Sequence, residues 1–210
     1  MITVVALAVG ALAVGIAWGK DGTTSDESSG PDGSRQHETP SQLVEPARRA
    51  GAERSEVPNR TVLPDRTVVP VRPVGTDPDG SLAVPDDIRL AGWWRGSARL
   101  GDPFGSTVLA AHVDSLTQGL GPYASLLTVR AGQRIEVSSL HLTQSYSVVS
   151  LALVPRGTLA QHPRIFSPAG PRRLTLVTCA GPYVAARGGY QNLAVVTARP
   201  LGDVARKSGP

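Results

Sequence analysis

Between residues 80 and 203 the chain is divided into short apolar segments, each bounded by glycine, proline or a polar turn, and almost nowhere do they follow a helical period. SLAVPDDIRLAGWW (81–94), STVLAAHVD (106–114), RIEVSSLHL (134–142), QSYSVVSLALV (144–154), RRLTLVTC (172–179) and NLAVVTARPL (192–201) each hold a strand-length run. RGTLAQHPRIF (156–166) is the one segment that reads as a short helical turn. Six or more strands with no long amphipathic helix between most of them predict an all-β domain, an antiparallel or mixed barrel. Composition agrees: 23 glycines and 18 prolines supply turns, while aromatics at 4% leave little bulk for a large aromatic core.

The ends of the chain have a different texture. MITVVALAVGALAVGIAWG (1–19) is apolar and uncharged, long enough at ~1.5 Å per residue to cross a hydrocarbon layer of roughly 30 Å. It reads as a membrane anchor, with a signal segment as the rival. Residues 20–79 are rich in Ser, Gly, Pro, Thr and charge, and read as a disordered linker whose second half is proline-spaced and extended. The globular domain is then predicted over 80–203. Lys20, Arg35, Arg48 and Arg49 all follow the apolar segment, and on the positive-inside rule they would place the domain in the cytoplasm.

The chemistry-bearing residues are few. Cys179 is the only cysteine, so no intramolecular disulfide forms and the thiol is either a small buried hydrophobe or a nucleophile. It ends an apolar strand just before AGP, where a turn would display it. His112 occupies the same position in STVLAAHVDS, so two strand ends offer the halves of a thiol–imidazole pair. His37 lies in the linker, His141 in a hairpin and His162 in the helical turn, all without an expected role. One cysteine and four histidines show no ligand pair at zinc-site spacing, and GDPFGS lacks the Lys-Ser/Thr ending of a phosphate loop. The net charge of +4 comes from scattered arginines rather than a basic stripe, which argues against nucleic acid.

Three ordered motifs, GWWRGSARLGDPFGSTVLAAHVDS, LTLVTCAGPY and GGYQNLAVVTARPL, resemble the class F sortases of actinobacteria, which are membrane-anchored cysteine transpeptidases. The resemblance covers roughly residues 80–201 and implies an eight-stranded sortase-type β-barrel acting outside the membrane, which overrides the charge bias. It implies that Cys179 attacks a Leu-Pro-x-Thr-Gly-like sorting peptide to give a thioester, that an amine of the cell envelope resolves it, and that His112 moves the protons. An isolated pair with ordinary pKa values of ~8.5 and ~6.5 holds both charges in under about 1% of molecules at pH 7, so a nearby cation is needed.

In the resembling family that cation is an arginine just before the last strand, commonly within Tyr-Arg-Asp-Asn; here the text is GGYQNLAVV, with Gln191 in its place. Arg187 is the expected substitute, with Gln191 as a neutral oxyanion donor, and Arg199 and Arg173 behind. Thr178 is expected to lend its hydroxyl or N–H to the site. Asp114, on the face of His112, is expected either to orient the imidazole or to form the turn. No cofactor is expected. The rival readings are an envelope binding module on an inactive sortase-like barrel and an L,D-transpeptidase-like peptidoglycan enzyme, whose Ser-x-Gly-Cys motif is absent here.

Overall fold

The computed structural model describes residues 54–207 apart from residue 79. The apolar segment 1–19 and most of the linker therefore lie outside the described residues; among those described, no helix is long and apolar enough to cross a membrane. The strands are β1 (Arg60–Val62), β2 (Val68–Val74), β3 (Ala91–Trp94), β4 (Ser106–Ala110), β5 (Asp114–Ser115), β6 (Gly119–Leu120), β7 (Arg134–Ser138), β8 (Leu142–Pro155), β9 (Arg173–Val184), β10 (Gly189–Pro200) and β11 (Ala205–Arg206). One helical turn, α1 (Pro163–Phe166), and 3-10 turns at Pro122–Thr128, Leu159–Gln161 and Ala185–Arg187 complete the inventory.

The sheet runs β10-β9-β4-β3-β2-β1-β7-β8, and β8 pairs back onto β10, so eight strands close into a barrel. Two neighbouring pairs are parallel, β2 with β3 and β4 with β9; the other pairs of the barrel are antiparallel. Alternation along the strands defines the interior. Val69 and Val71 of β2, Ile135 and Val137 of β7, and Tyr146 and Val148 of β8 point inward and are buried. Tyr123 and Leu126, on the 3-10 turn Pro122–Thr128, join the same core. β4 is buried along its whole length, because α1 packs across it.

The barrel begins earlier than the composition suggested. Residues 60–74 supply β1 and β2, so the linker predicted to reach residue 79 ends some twenty residues sooner. Proline spacing in TVVPVRPV concealed a period-two pattern: Pro70 and Pro73 sit at exposed positions, while Val69 and Val71 fill the core. In SLAVPDDIRLAGWW only Ala91–Trp94 is a strand of the barrel. Upstream, Thr76 bridges to Leu82 in a tight excursion closed by the Asp77 N–H on Ser81 O at 2.9 Å. Trp93 and Trp94 straddle the sheet as expected: Trp93 is buried, whereas Trp94 is half-buried and stacks edge-on against Phe166.

Both ends of the domain converge on the turn between β7 and β8. Glu56 forms a backbone bridge with Leu100, and its carboxylate accepts from Ser139 Oγ at 2.7 Å and the His141 N–H at 3.0 Å, with His141 Nδ1 at 2.9 Å. From the other end, the Lys207 N–H donates to His141 O at 2.8 Å. The N–H of His141 and the Ser139 hydroxyl, followed by the imidazole, hold the Glu56 carboxyl down to about 2 from an ordinary 4.5. A depressed carboxylate pKa adds stability that is complete above the unfolded value and disappears as pH falls through the folded one. Glu56→Gln should therefore flatten the stability loss between pH 4.5 and 2 in acid unfolding followed by circular dichroism; a curve parallel to wild type would dismiss this latch.

Candidate active site

The site grows out of the parallel ladder between β4 and β9, whose last rung pairs Ala110 with Val177. Just beyond it the two strands are stitched twice more: the Ala111 N–H donates to Val177 O at 3.1 Å, and the Thr178 hydroxyl donates to Ala111 O at 2.9 Å. The chains then part, with His112 one residue on along one of them and Cys179 one residue on along the other. Both are half-buried, and both line a cavity of about 1080 Å³ that opens beyond the end of this ladder. Two segments 67 residues apart are thus joined by a single hydrogen-bonded seam.

Cys179 does not end its strand, as the sequence suggested. β9 continues to Val184 against β10, but the register slips at once: Asn192 faces Ala180, then Tyr190 faces Tyr183, leaving Gly181 and Pro182 opposite Gln191. The display of the thiol therefore comes from the loss of β4 on one side and a bulge on the other. Thr178 lines the cavity, but its side chain is buried and its hydroxyl is committed to Ala111 O. That hydroxyl positions the histidine's strand instead.

The backbone of His112 is confined from the other side by a glycine. Gly121, in the extended region at φ −82°, donates its N–H to Val113 O at 2.9 Å. A Cβ built there would meet His112 O at 2.9 Å and Ile88 O at 3.3 Å, both backbone atoms with no room to give.

Asp114 does not orient the imidazole. Its carboxylate accepts from the Tyr190 hydroxyl at 2.6 Å, and among the described residues His112 makes no hydrogen bond, to Asp114 or to Cys179. Arg187 is exposed on the 3-10 turn Ala185–Arg187 and is absent from the cavity wall. The left-handed Gly188 at φ 78° returns the chain into β10 and leaves that turn outside. Gln191 spends its side-chain amide on Gly189 O at 2.6 Å and likewise does not line the cavity.

The guanidinium at the cavity belongs to Arg156, a residue the sequence reading passed over as part of a helical turn. It follows the end of β8, where its N–H donates to Gln191 O at 2.8 Å and its side chain donates to Gly188 O. Among the described residues, Arg156 is the only lysine or arginine in the cavity wall. No motif announces it, since its neighbour in space, position 191, is 35 residues away and is reached only through the β8–β10 pairing. Arg173 has a different task. It gathers the carbonyls of Arg164, Ser167, Ala169 and Pro171, knotting the loop whose Pro163, Phe166 and Pro168 form one wall of the cavity.

Electrostatics at the sulfur are contested. Burial pushes the Cys179 thiol above its ordinary range, the Arg156 charge pulls it down, and the Asp114 carboxylate pushes it up, with burial dominant. The resting group is therefore a neutral thiol at neutral pH. The remaining wall is mostly apolar, with Leu82, Val84, Trp94, Leu159, Phe166 and Leu193 around the polar end that holds Cys179, His112 and Arg156. Among the described residues no three His, Cys, Asp or Glu side chains assemble a metal site. The arrangement fits nucleophilic attack by sulfur on a carbonyl carried by an extended, partly apolar ligand.

A closed, mostly-β barrel of eight strands is the sortase fold, and the comparisons agree. The chain belongs to the sortase family: the Sortase domain family model matches residues 64–201. Sortase E1 from Streptomyces coelicolor, solved with a tripeptide in its active site, superposes with a TM-score of 0.55 at 17% identity over 74% of this chain and 94% of that one. Listeria monocytogenes sortase A gives a TM-score of 0.54 at 16% identity, over 74% of this chain and 92% of that one. The sortase SrtA of Actinomyces oris gives 0.53 at 20% identity, over 76% and 87%. At these identities the superpositions speak for the fold. No curated protein matches the sequence.

Because the Gly121 Cβ would press on two fixed carbonyls, Gly121→Ala should cost on the order of 1–3 kcal/mol in urea unfolding. Unfolding indistinguishable from wild type would show that the backbone of His112 is not confined there.

Proposed function

We propose that this sortase is a membrane-anchored cysteine transpeptidase of the class F kind, cutting a Leu-Pro-x-Thr-Gly-like sorting signal and joining it to an amine of the cell envelope. The observation that carries the reading is the meeting of Cys179, His112 and Arg156 at the polar end of one otherwise apolar cavity. The apolar segment 1–19 supports a membrane anchor, on a shorter tether than composition alone suggested, and the outer face is taken from the family resemblance against the charge bias.

In this reading neutral His112 takes the thiol proton as the Cys179 sulfur bonds to the scissile carbonyl carbon, and the carbonyl oxygen becomes an oxyanion. Arg156 supplies the compensating charge and donors; its planar fork has several N–H groups besides the one engaged by Gly188. The C–N bond then breaks as imidazolium His112 gives a proton to the departing amine, leaving a thioester. The envelope amine attacks that thioester, His112 takes its proton, and the thiolate departs. Hydrolysis to a free carboxylate is the side reaction when water replaces the amine. The raised thiol keeps the thiolate a minor species near neutrality, and because departure of the amine needs imidazolium His112, more alkaline pH does not by itself speed the reaction.

The full chain, or the domain from residue 54 onward, should join a Leu-Pro-x-Thr-Gly-type peptide to a small amine. Cys179→Ala should abolish the joined product. Intact peptide alongside turnover of a muropeptide would replace the reading with the peptidoglycan enzyme. Intact peptide with no turnover of either, and thiol labelling independent of His112, would favour the binding module.

Arg156→Gln should lower kcat by about 10²-fold, the usual loss of an oxyanion donor. Because position 191 is hydrogen-bonded to the Arg156 backbone, adding Gln191→Arg to that variant should recover part of the loss. Full turnover in Arg156→Gln with loss in Arg187→Gln would return the role to Arg187.

A further inference from the structure

Two elements that lead on from the cavity-lining His112 and Cys179 project beyond the barrel's ladders. The first is the ribbon β5–β6, which pairs only with itself; its tip residue Leu116 is 102% exposed. His112 lies just before this ribbon. The second is the far end of the β9–β10 pair, which Cys179 begins. There β9 has already lost β4 after Val177, and the β10 ladder with β8 ends at Asn192. Each element is therefore anchored at its base and unsupported by sheet neighbours toward its end.

The ribbon's inner side is held by ordinary contacts. Val113 O accepts from the Gly121 N–H at 2.9 Å, and the Gln118 amide bridges Asp86 O at 3.0 Å and the Ile88 N–H at 3.3 Å. None of these reaches the arm that carries the thiol. Among the described residues, the one hydrogen bond that does is the 2.6 Å contact from the Tyr190 hydroxyl to Asp114 Oδ2. Tyr190 is itself braced, with the Tyr183 ring edge-on at 5.1 Å and 79°. The phenol is well suited to the task, since its bond to a carboxylate is charge-assisted and short.

We propose that Asp114 and Tyr190, just outside the cavity wall, form a clasp, a positioning pair that holds the segment leading on from His112 against the arm leading on from Cys179. The catalytic part of this proposal rests on the transpeptidase reading; the clasp itself does not. The carboxylate has a second consequence. The groups that face Cys179 are Arg156 from the end of β8, Asp114 from β5, Tyr190 from β10 and His112 from the connector, and of these Asp114 is the anion. The clasp thus gains its strength from a charge that opposes thiolate formation. Arg156, just past the end of β8, offsets it.

The test uses Tyr190→Phe, Asp114→Ala and the double variant, all at exposed or half-buried positions away from the core. Hydrogen exchange of the amides in 113–121 should quicken by about tenfold in each single variant and no further in the double, the signature of one shared interaction. In transpeptidation each should lower kcat by about tenfold with KM kept, again without a further drop in the double. Alkylation of Cys179 by iodoacetamide should move its pH midpoint downward in Asp114→Ala and not in Tyr190→Phe, a difference that simple loosening would not produce. Unchanged exchange, losses in kcat that multiply in the double variant, or an unmoved midpoint in Asp114→Ala would each overturn the clasp. If wild type joins no peptide while exchange still responds as stated, the transpeptidase reading fails and the clasp stands.

Discussion

The bond from the Thr178 hydroxyl to Ala111 O is the point on which the site depends. A parallel pair of neighbouring strands carries its two chains in the same direction, so both reach the same end of the barrel together. The residue that follows each chain's last hydrogen-bonded position then opens into one space. In an antiparallel pair, His112 and Cys179 at the ends of their strands would lie at opposite ends of the ladder. Buried as it is, the threonine hydroxyl would cost roughly 1–3 kcal/mol if left unpaired, and so would the carbonyl it serves. The seam is therefore held by desolvation as well as by the hydrogen bond.

Around that seam the charges are balanced rather than maximised. Burial among apolar groups disfavours the thiolate, Asp114 disfavours it further, and Arg156 counters both. In the proposed transpeptidase reading, such a site gains from substrate, whose carbonyl oxygen would give Arg156 a partner only as charge develops on it. The same arrangement explains why the arginine can stand at the end of β8. What the proposed chemistry requires is a guanidinium at the cavity, and β8 and β10 are neighbours there, so either strand can supply it.

Much of the barrel was legible because strands declare themselves locally. The runs from STVLA to TLVTC carried period-two patterning or continuous burial, and turn residues marked their ends. β2 was missed because proline is read as a breaker, and its tolerance at Pro70 and Pro73 depends on which backbone groups face a neighbouring strand. The extent of β9 beyond Cys179 was missed for a related reason. AGP reads as a turn, whereas the structure turns it into a bulge because β10 is there to continue the pairing.

Residue identity alone confined thiol chemistry to one cysteine and singled out the one histidine in a matching setting as its candidate partner, since no other cysteine exists and the remaining histidines lack that setting. Which arginine joins them, which hydroxyl serves only the scaffold and which carboxylate grips a tyrosine were decided by the closed barrel. Those relations are between strands 35 to 76 residues apart, set by register and by where each ladder ends. A side chain's neighbours along the chain carry its local conformation, but the field and the partners it meets come from strands that only folding brings beside it.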